Sequence, residues 1–298
     1  MRIGVDLGGS KIELIAIDEA GGERLRRRIA TPQGDYAATV EAVATLVEDA
    51  ERSLACGPCA LGIGTPGSLS RLGGVMRNAN STCLNGRALL ADLQLRLRRP
   101  LQMANDANCF AISEATDGAG AGAATVFGVI LGTGVGGGLV VNGRLLEGAN
   151  AIAGEWGHNP LPAPAGADLP LPPCYCGRHG CVETYLSGPA LSADHRRHGG
   201  TATDPAAIAH AAAHGDAACN ATLARYEERL ARALATVINI FDPEVIVLGG
   251  GLSRIDRLYA RVPRLWGAHV FSDHIATRLL PAHHGDASGV RGAAWLNP

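Results

Sequence analysis

The stretch Pro172 to Tyr185, PPCYCGRHGCVETY, places Cys174, Cys176 and Cys181 within eight positions. Thiols at that spacing can pair as a disulfide, hold a metal or sit together by accident. A metal needs a fourth donor, and His158, 16 residues before Cys174 in GEWGH, supplies one. Three thiolates and an imidazole make a closed tetrahedral set for structural Zn2+. A closed set leaves no open position for an activated water, so the metal has no catalytic role. The intervening NPLPAPAGADLPLPPC is rich in proline and reads as an irregular surface loop. Closing such a loop costs chain entropy, which metal binding offsets.

A second chemistry lies in ANDAN, where Asp106 stands between Asn105 and Asn108 at a strand-to-helix turn. A carboxylate there is either a helix cap or a general base, and the residues alone leave both readings open. The helix N-terminus favours its ionised form. A third chemistry lies in three glycine turns: DLGGSK (6–11), LGTGVGGG (131–138) and LGGG (248–251). Glycines leaving a strand let backbone N–H groups approach a phosphate, and Ser10 and Lys11 add a hydroxyl and a cation. None of the turns fits a P-loop or a dinucleotide fingerprint that opens a helix. Singly each reads as a hairpin turn. Three together, all leaving strands, favour a phosphate site split between domains. By contrast, the C-x-x-C pair Cys56 and Cys59 ends a helix and precedes a strand. A redox pair needs its first cysteine at a helix N-terminus, so this one reads as a turn.

The elements that must carry these residues follow from periodicity. RIGVDLGGSKIELIAID reads as strand, glycine turn and strand, and TVFGVILGTGVGGGLVVNGRLLEG repeats that form. Helical spacing puts Val40, Val43, Leu46 and Val47 on one face. Further strands precede the Gly64-Thr65-Pro66-Gly67 turn, Asp106 and Gly249. A helical stretch is expected from about Pro205 to Phe241, and a short helix in SGVRGAAWL. The repeated hairpin points to two domains of similar plan, residues 1–117 and 118–285, with a C-terminal helix at about 286–298 returning to the first. The 298 residues, 47% hydrophobic and 18% charged, supply ample core material. A net charge of −2 gives no electrostatic reason to expect nucleic acid or an anionic membrane. No apolar run approaches a bilayer span, and the N-terminus lacks a signal-peptide pattern. The expected location is therefore cytoplasmic, where clustered thiols stay reduced and bind metal.

In this order, DLGGSK, GIGTPG, NDAN, LGTGVGGG, GEWGH, CYCGRHGCVE and VLGGG resemble the ROK family of sugar kinases across essentially the whole chain. The G-H…C-x-C-G-x-x-G-C-x-E element is the most specific part. Ser10 stands where the family usually has threonine, which keeps the hydroxyl. The resemblance implies an α/β, two-domain actin/hexokinase-like ATPase fold with duplicated RNase H-like domains and a zinc-stabilised loop. It implies Asp106 as the base, and sugar contacts at Asn80, Asn105, Glu155, His158, Glu183 and the turn ending at Gly67. It implies ATP against Gly4, Val5, Asp6, Leu7, Gly8, Gly9, Ser10 and Lys11 on one side. Thr133, Gly134, Val135, Gly136, Gly137 and Gly138 lie on the other, with Gly249, Gly250 and Gly251 near the adenosine. Mg2+ travels with the nucleotide, with Asp6 as an outer partner. NANST (78–82) and GEWGHNPLP (154–162) resemble the bacterial fructokinase branch. The expected reaction is therefore phosphorylation of the 6-hydroxyl of fructose, with mannose or glucose weaker. The alternatives are an N-acetylglucosamine kinase and a non-catalytic sugar-sensing regulator. The regulator is disfavoured because Asp106 and the glycine turns are intact and no winged-helix module is expected. The family's frequent dimers put a homodimer among the expectations.

Overall fold

The computed structural model describes residues 1–202 and 204–297. They divide into two compact units, one of residues 1–122, 138–153 and 283–298, the other of residues 123–137 and 154–282.

In the first unit, β1 (Arg2–Leu7), β2 (Lys11–Ile17) and β3 (Glu23–Ala30) form an antiparallel meander. Helix α1 (Tyr36–Ser53) follows, capped by Asp35, whose carboxylate accepts from the Ala38 N–H at 3.0 Å. Its Val43, Leu46 and Val47 are buried as the periodicity expects. Strand β4 (Ala60–Thr65) pairs parallel with β1, and the short β5 (Ser68–Leu69) and β6 (Met76–Arg77) form a separate ribbon. After α2 (Leu89–Leu97), β7 (Gln102–Asn105) pairs parallel with β4 and runs into α3 (Asp106–Thr116). The sheet order is β3-β2-β1-β4-β7.

The second sheet is built from β8 (Thr125–Leu131), β9 (Val135–Val141), β10 (Arg144–Leu145), β11 (Val245–Gly249) and β12 (Arg278–Pro281), in the order β10-β9-β8-β11-β12. Numbered within each sheet, both orders are 3-2-1-4-5, so the duplication hinted at by the two hairpins extends to five strands. Between β10 and β11 lie α4 (Glu183–Leu186), α5 (Gly188–Arg197), α6 (Pro205–Ala213) and α7 (Ala217–Phe241). The helical stretch expected over 205–241 is therefore two helices. Gly215 takes φ +92°, and Asp216 recaps the chain by accepting from the Cys219 N–H at 2.7 Å. Helix α8 (Arg257–Leu265) precedes β12, and α9 (Ser288–Trp295) ends the chain in the first unit.

Helix α9 explains two glycines of the first sheet. A Cβ on Gly4 would strike the Val290 carbonyl, and one on Gly62 the Ala293 carbonyl, so the helix backbone lies directly on β1 and β4. Residues 138–153 also belong with this unit, whereas the sequence reading runs 118–285 as one piece. A Cβ on Gly138 would lie 2.8 Å from the Ala111 Cβ and 2.9 Å from the Ala107 carbonyl, so the end of β9 rests on α3. Among the described residues no helix is long and apolar enough to cross a membrane.

Candidate functional site

In the first unit the site residues line up at the carboxyl ends of three adjacent parallel strands, where open α/β sheets bind ligands. The ladders set Asp6 of β1 opposite Gly64 of β4, and Thr65 of β4 opposite Asn105 of β7. The first glycine turn closes with the Gly8 N–H donating to the Lys11 carbonyl at 2.9 Å, leaving Gly9, Ser10 and Lys11 exposed. Gly4, Val5 and Leu7 are buried in β1, their backbone paired on both sides. Alternate residues of this central strand face the two layers beside it.

The structure separates the roles of Asn105 and Asp106 at the start of α3. Asn105 is the N-cap of α3, its Oδ1 accepting from the Asn108 N–H at 2.7 Å. The N-cap is thus supplied by Asn105, while the Asp106 Oδ1 accepts from the Ala107 N–H at 2.8 Å. Asp106 keeps a solvent-open face, yet dense protein around its carboxyl raises its pKa from the ordinary value, against backbone N–H bonds that lower it. Asp6 is pushed up to about 6, first by desolvation, then by the charges of Asp106 and Glu13, with Lys11 opposing. Two neighbouring carboxylates with raised pKa values are the electrostatic mark of a working site. A cavity of about 220 Å³ beside them is lined by Thr65, Ser68, Arg71, Met103, Asn105 and Asn108. The Asn108 Oδ1 is buried there with no hydrogen-bond partner in the structure, which sequence reasoning missed. Gly67 holds its turn at φ +76°. Asn78 and Asn80 are exposed, and the Ser81 hydroxyl lies beside Gly9.

In the second unit His158, Cys174, Cys176 and Cys181 place one donor atom each within 4.8 Å of one another. The Cys176 and Cys181 sulfurs are 3.7 Å apart, and the Cys174 sulfur is 3.6 Å from the His158 Nδ1. A tetrahedral zinc with Zn–S bonds near 2.3 Å requires sulfurs about 3.8 Å apart, so the four residues fit the ion. Hydrogen bonds from the Arg178 backbone and side chain pull the Cys176 thiol down to about 6, toward the thiolate that a metal needs. All eight cysteines are free thiols, and the Cys56–Cys59 pair sits in the turn expected for it, with burial pushing Cys59 up to about 11.

The cysteine loop is tied to its surroundings at several points. The Val182 N–H donates to the Asn159 carbonyl at 2.8 Å, and the Leu161 N–H to that of Gly180 at 2.8 Å. Glu183 opens α4 directly after the loop, and its Oε2 accepts from the Val135 N–H at 2.9 Å. A Cβ on Gly134 would lie 2.7 Å from that oxygen, so glycine is what lets the carboxylate approach the turn. Glu155 is exposed beside Trp156, whose indole N–H donates to the Gly136 carbonyl at 3.0 Å and whose ring meets Phe127 edge-on. The metal set, the two glutamates and the second glycine turn therefore form one constellation. Trp156 was not singled out from sequence, because a lone tryptophan gives no periodic signal.

The proline-rich loop is held from α7. Arg232 donates to the Pro162 and Ala163 carbonyls, and Arg229 to that of Ala167. Both arginines pair with the buried Asp168, at 2.8 and 2.7 Å, and the Tyr185 hydroxyl donates to the Asp168 carbonyl at 2.8 Å.

A cavity of about 810 Å³ opens at the carboxyl ends of β8 and β11, lined by Gly132, Thr133, Ser192, Arg196, Gly251 and Ile255 among others. Thr133 and Gly251 are exposed there and Gly250 is exposed before Gly251, whereas Val135, Gly137, Gly138 and Gly249 are buried. The walls from α5, including Ser192 and Arg196, carried no motif and were not foreseen.

A model described as the ROK family matches residues 2–298 of the chain. An N-acetyl-D-glucosamine kinase of Yersinia pseudotuberculosis serotype IB (strain PB1/+) is 41% identical over 305 residues, covering 100% of this chain and 99% of the relative. The crystal structure of a ROK hexokinase from Thermus thermophilus is 30% identical, with TM-score 0.87, covering 99% of this chain and 97% of that one. A ROK family glucokinase from Streptomyces griseus, in complex with glucose and AMPPNP, is 27% identical with TM-score 0.75, covering 98% and 97%.

Proposed function

The chain belongs to the ROK family and is an ATP-dependent sugar kinase, and on that premise we propose that its sugar is N-acetyl-D-glucosamine, phosphorylated on its primary 6-hydroxyl. The observation that carries this choice is the 41% identity, end to end, to an N-acetyl-D-glucosamine kinase. It favours this sugar over the fructose expected from NANST and GEWGHNPLP.

Asp106 accepts the proton of the attacking hydroxyl. Its raised pKa makes it a better-matched base than an ordinary aspartate, provided it is ionised. Asn105 and Asn108 offer amide groups to the sugar, and Glu155, His158, Glu183, Asn80 and the Gly67 turn complete its contacts. The large cavity beside Thr133 and Gly251 takes the nucleotide, with Arg196 on its wall. Gly8 to Lys11 and Gly134 to Gly136 offer N–H groups, a hydroxyl and a cation to the phosphates. Mg2+ bound with ATP would neutralise charge on the transferred phosphoryl, and Asp6 would be its outer protein partner. Zinc, held by His158 and the three thiolates, fixes the loop that presents Glu155 and Glu183. Three reduced thiols of this kind suit a cytoplasmic location.

The test is kcat/KM for N-acetylglucosamine, fructose, mannose and glucose with Mg-ATP. N-acetylglucosamine should lead by at least tenfold. Fructose leading would overturn the sugar assignment and leave the kinase intact.

A further inference from the structure

His158 presents its Nδ1 to the thiolate cluster, so its Nε2 is the nitrogen that faces outward. That nitrogen is not open. The Tyr175 hydroxyl lies 2.9 Å from it, with the two rings edge-to-face at 5.1 Å. Tyr175 is itself 84% exposed and stands between the ligands Cys174 and Cys176, whose turn is closed by the Cys174 N–H donating to the Arg178 carbonyl at 2.8 Å and the Gly177 N–H to that of Cys174 at 3.0 Å. A large side chain left in solvent is rarely fixed by packing, so its hydrogen bond to His158 is its principal tether.

We propose that Tyr175 is a placeholder in the sugar site: its hydroxyl occupies the outward nitrogen of His158 and is displaced by a sugar hydroxyl when the substrate binds. The inference rests on the reading that His158 contacts the sugar, and it adds a residue that sets apparent sugar affinity. A hydrogen bond made within the empty site must be broken before the substrate makes the equivalent one, so it subtracts from binding. It also prevents the imidazole from turning before the sugar arrives, because an Nε2 partner fixes ring orientation and tautomer. The ring of Tyr175 is exposed, so Tyr175→Phe removes the oxygen with no core to disturb.

The experiment compares Tyr175→Phe with the parent protein, measuring KM for the sugar, KM for ATP and bound zinc. An ordinary neutral hydrogen bond corresponds to roughly a two- to tenfold change. Tyr175→Phe should lower the sugar KM by that factor, raise kcat/KM for the sugar accordingly, and leave the ATP KM and the zinc content where they were. An unchanged sugar KM would show that the hydroxyl does not compete, and a raised one that it is a sugar contact; either overturns the proposal. The sugar used is whichever of the four-sugar panel has the highest kcat/KM. Misassignment of the sugar would therefore appear in the panel, and failure of the placeholder only in the Tyr175→Phe comparison.

Discussion

Replacing Asp6 by asparagine should make the protein more stable while disabling it. The carboxyl of Asp6 rises from 3.8 to about 6 because desolvation and the neighbouring charges of Asp106 and Glu13 outweigh Lys11. A group whose folded pKa is raised binds its proton more tightly in the native state. Its stabilising contribution is full below about pH 4 and is lost as pH rises through 6. At pH 7 the native protein thus holds a carboxylate it would rather have protonated. Two pKa units at 1.36 kcal/mol each set an upper bound of about 3 kcal/mol, and the half-buried position of Asp6 brings the expectation to about 1–3 kcal/mol. Asparagine keeps the shape and removes the charge. For chains of this size about 1 kcal/mol moves a melting temperature by roughly 2–4 °C, so Asp6→Asn should melt roughly 2–10 °C higher at pH 7. The assay is thermal unfolding of both proteins from pH 4 to 8, with ADP release measured alongside. The gap should close toward pH 4, and turnover should fall at every pH. A variant that melts at or below the parent at pH 7, or a gap that persists undiminished at pH 4, would refute the electrostatic account. The trade would be of the usual kind, in which a strained site is kept for function at the expense of stability.

Asp106→Asn should reduce kcat by about 10²-fold or more while nucleotide binding, measured by titration, holds within about twofold. In the parent enzyme the base must be ionised, and burial raises its pKa. Activity should therefore fall as pH drops, with an acidic limb displaced upward from that of an ordinary aspartate; a limb with no upward displacement would count against Asp106 as the base. Purified protein should carry about one zinc per chain by elemental analysis, and Cys176→Ser should lose both that zinc and activity. Full activity without metal would remove the ion from its proposed place in ordering the loop.

What the sequence made legible was whatever spacing alone could encode. His158 with the three cysteines, the glycine turns and the strand-to-helix step at Asp106 are local patterns, and the structure places each metal donor with the others. The division of labour at Asn105 and Asp106 was not legible. Either residue can cap a helix, and only the 2.7 Å bond from the Asn108 N–H assigns the cap. The 3-2-1-4-5 order of both sheets is a matter of long-range pairing, of which the hairpins reveal only the first step. The return of residues 138–153 to the first unit depends on Gly138 lying against α3, a contact that periodicity does not carry. Tyr175 drew no reading from the sequence, because the direction of a side chain from a tight turn is set by the turn and not by its residue type. The choice of sugar was not legible in NANST, part of which lies beside the neighbouring glycine turn.

The grip of Arg229 and Arg232 on the proline-rich segment bears on how the metal centre assembles. A chain free from His158 to Cys174 would have to close a span of 16 residues to bring its donors together. With Asp168 already pinned to α7, only six residues separate the last fixed point from Cys174. Closure entropy scales with the logarithm of loop length, so the shorter span lowers the cost by about 0.9 kcal/mol. Were zinc held by His158 and the three cysteines, its removal would leave these arginine contacts in place, and half of the loop's path would stay fixed without the ion.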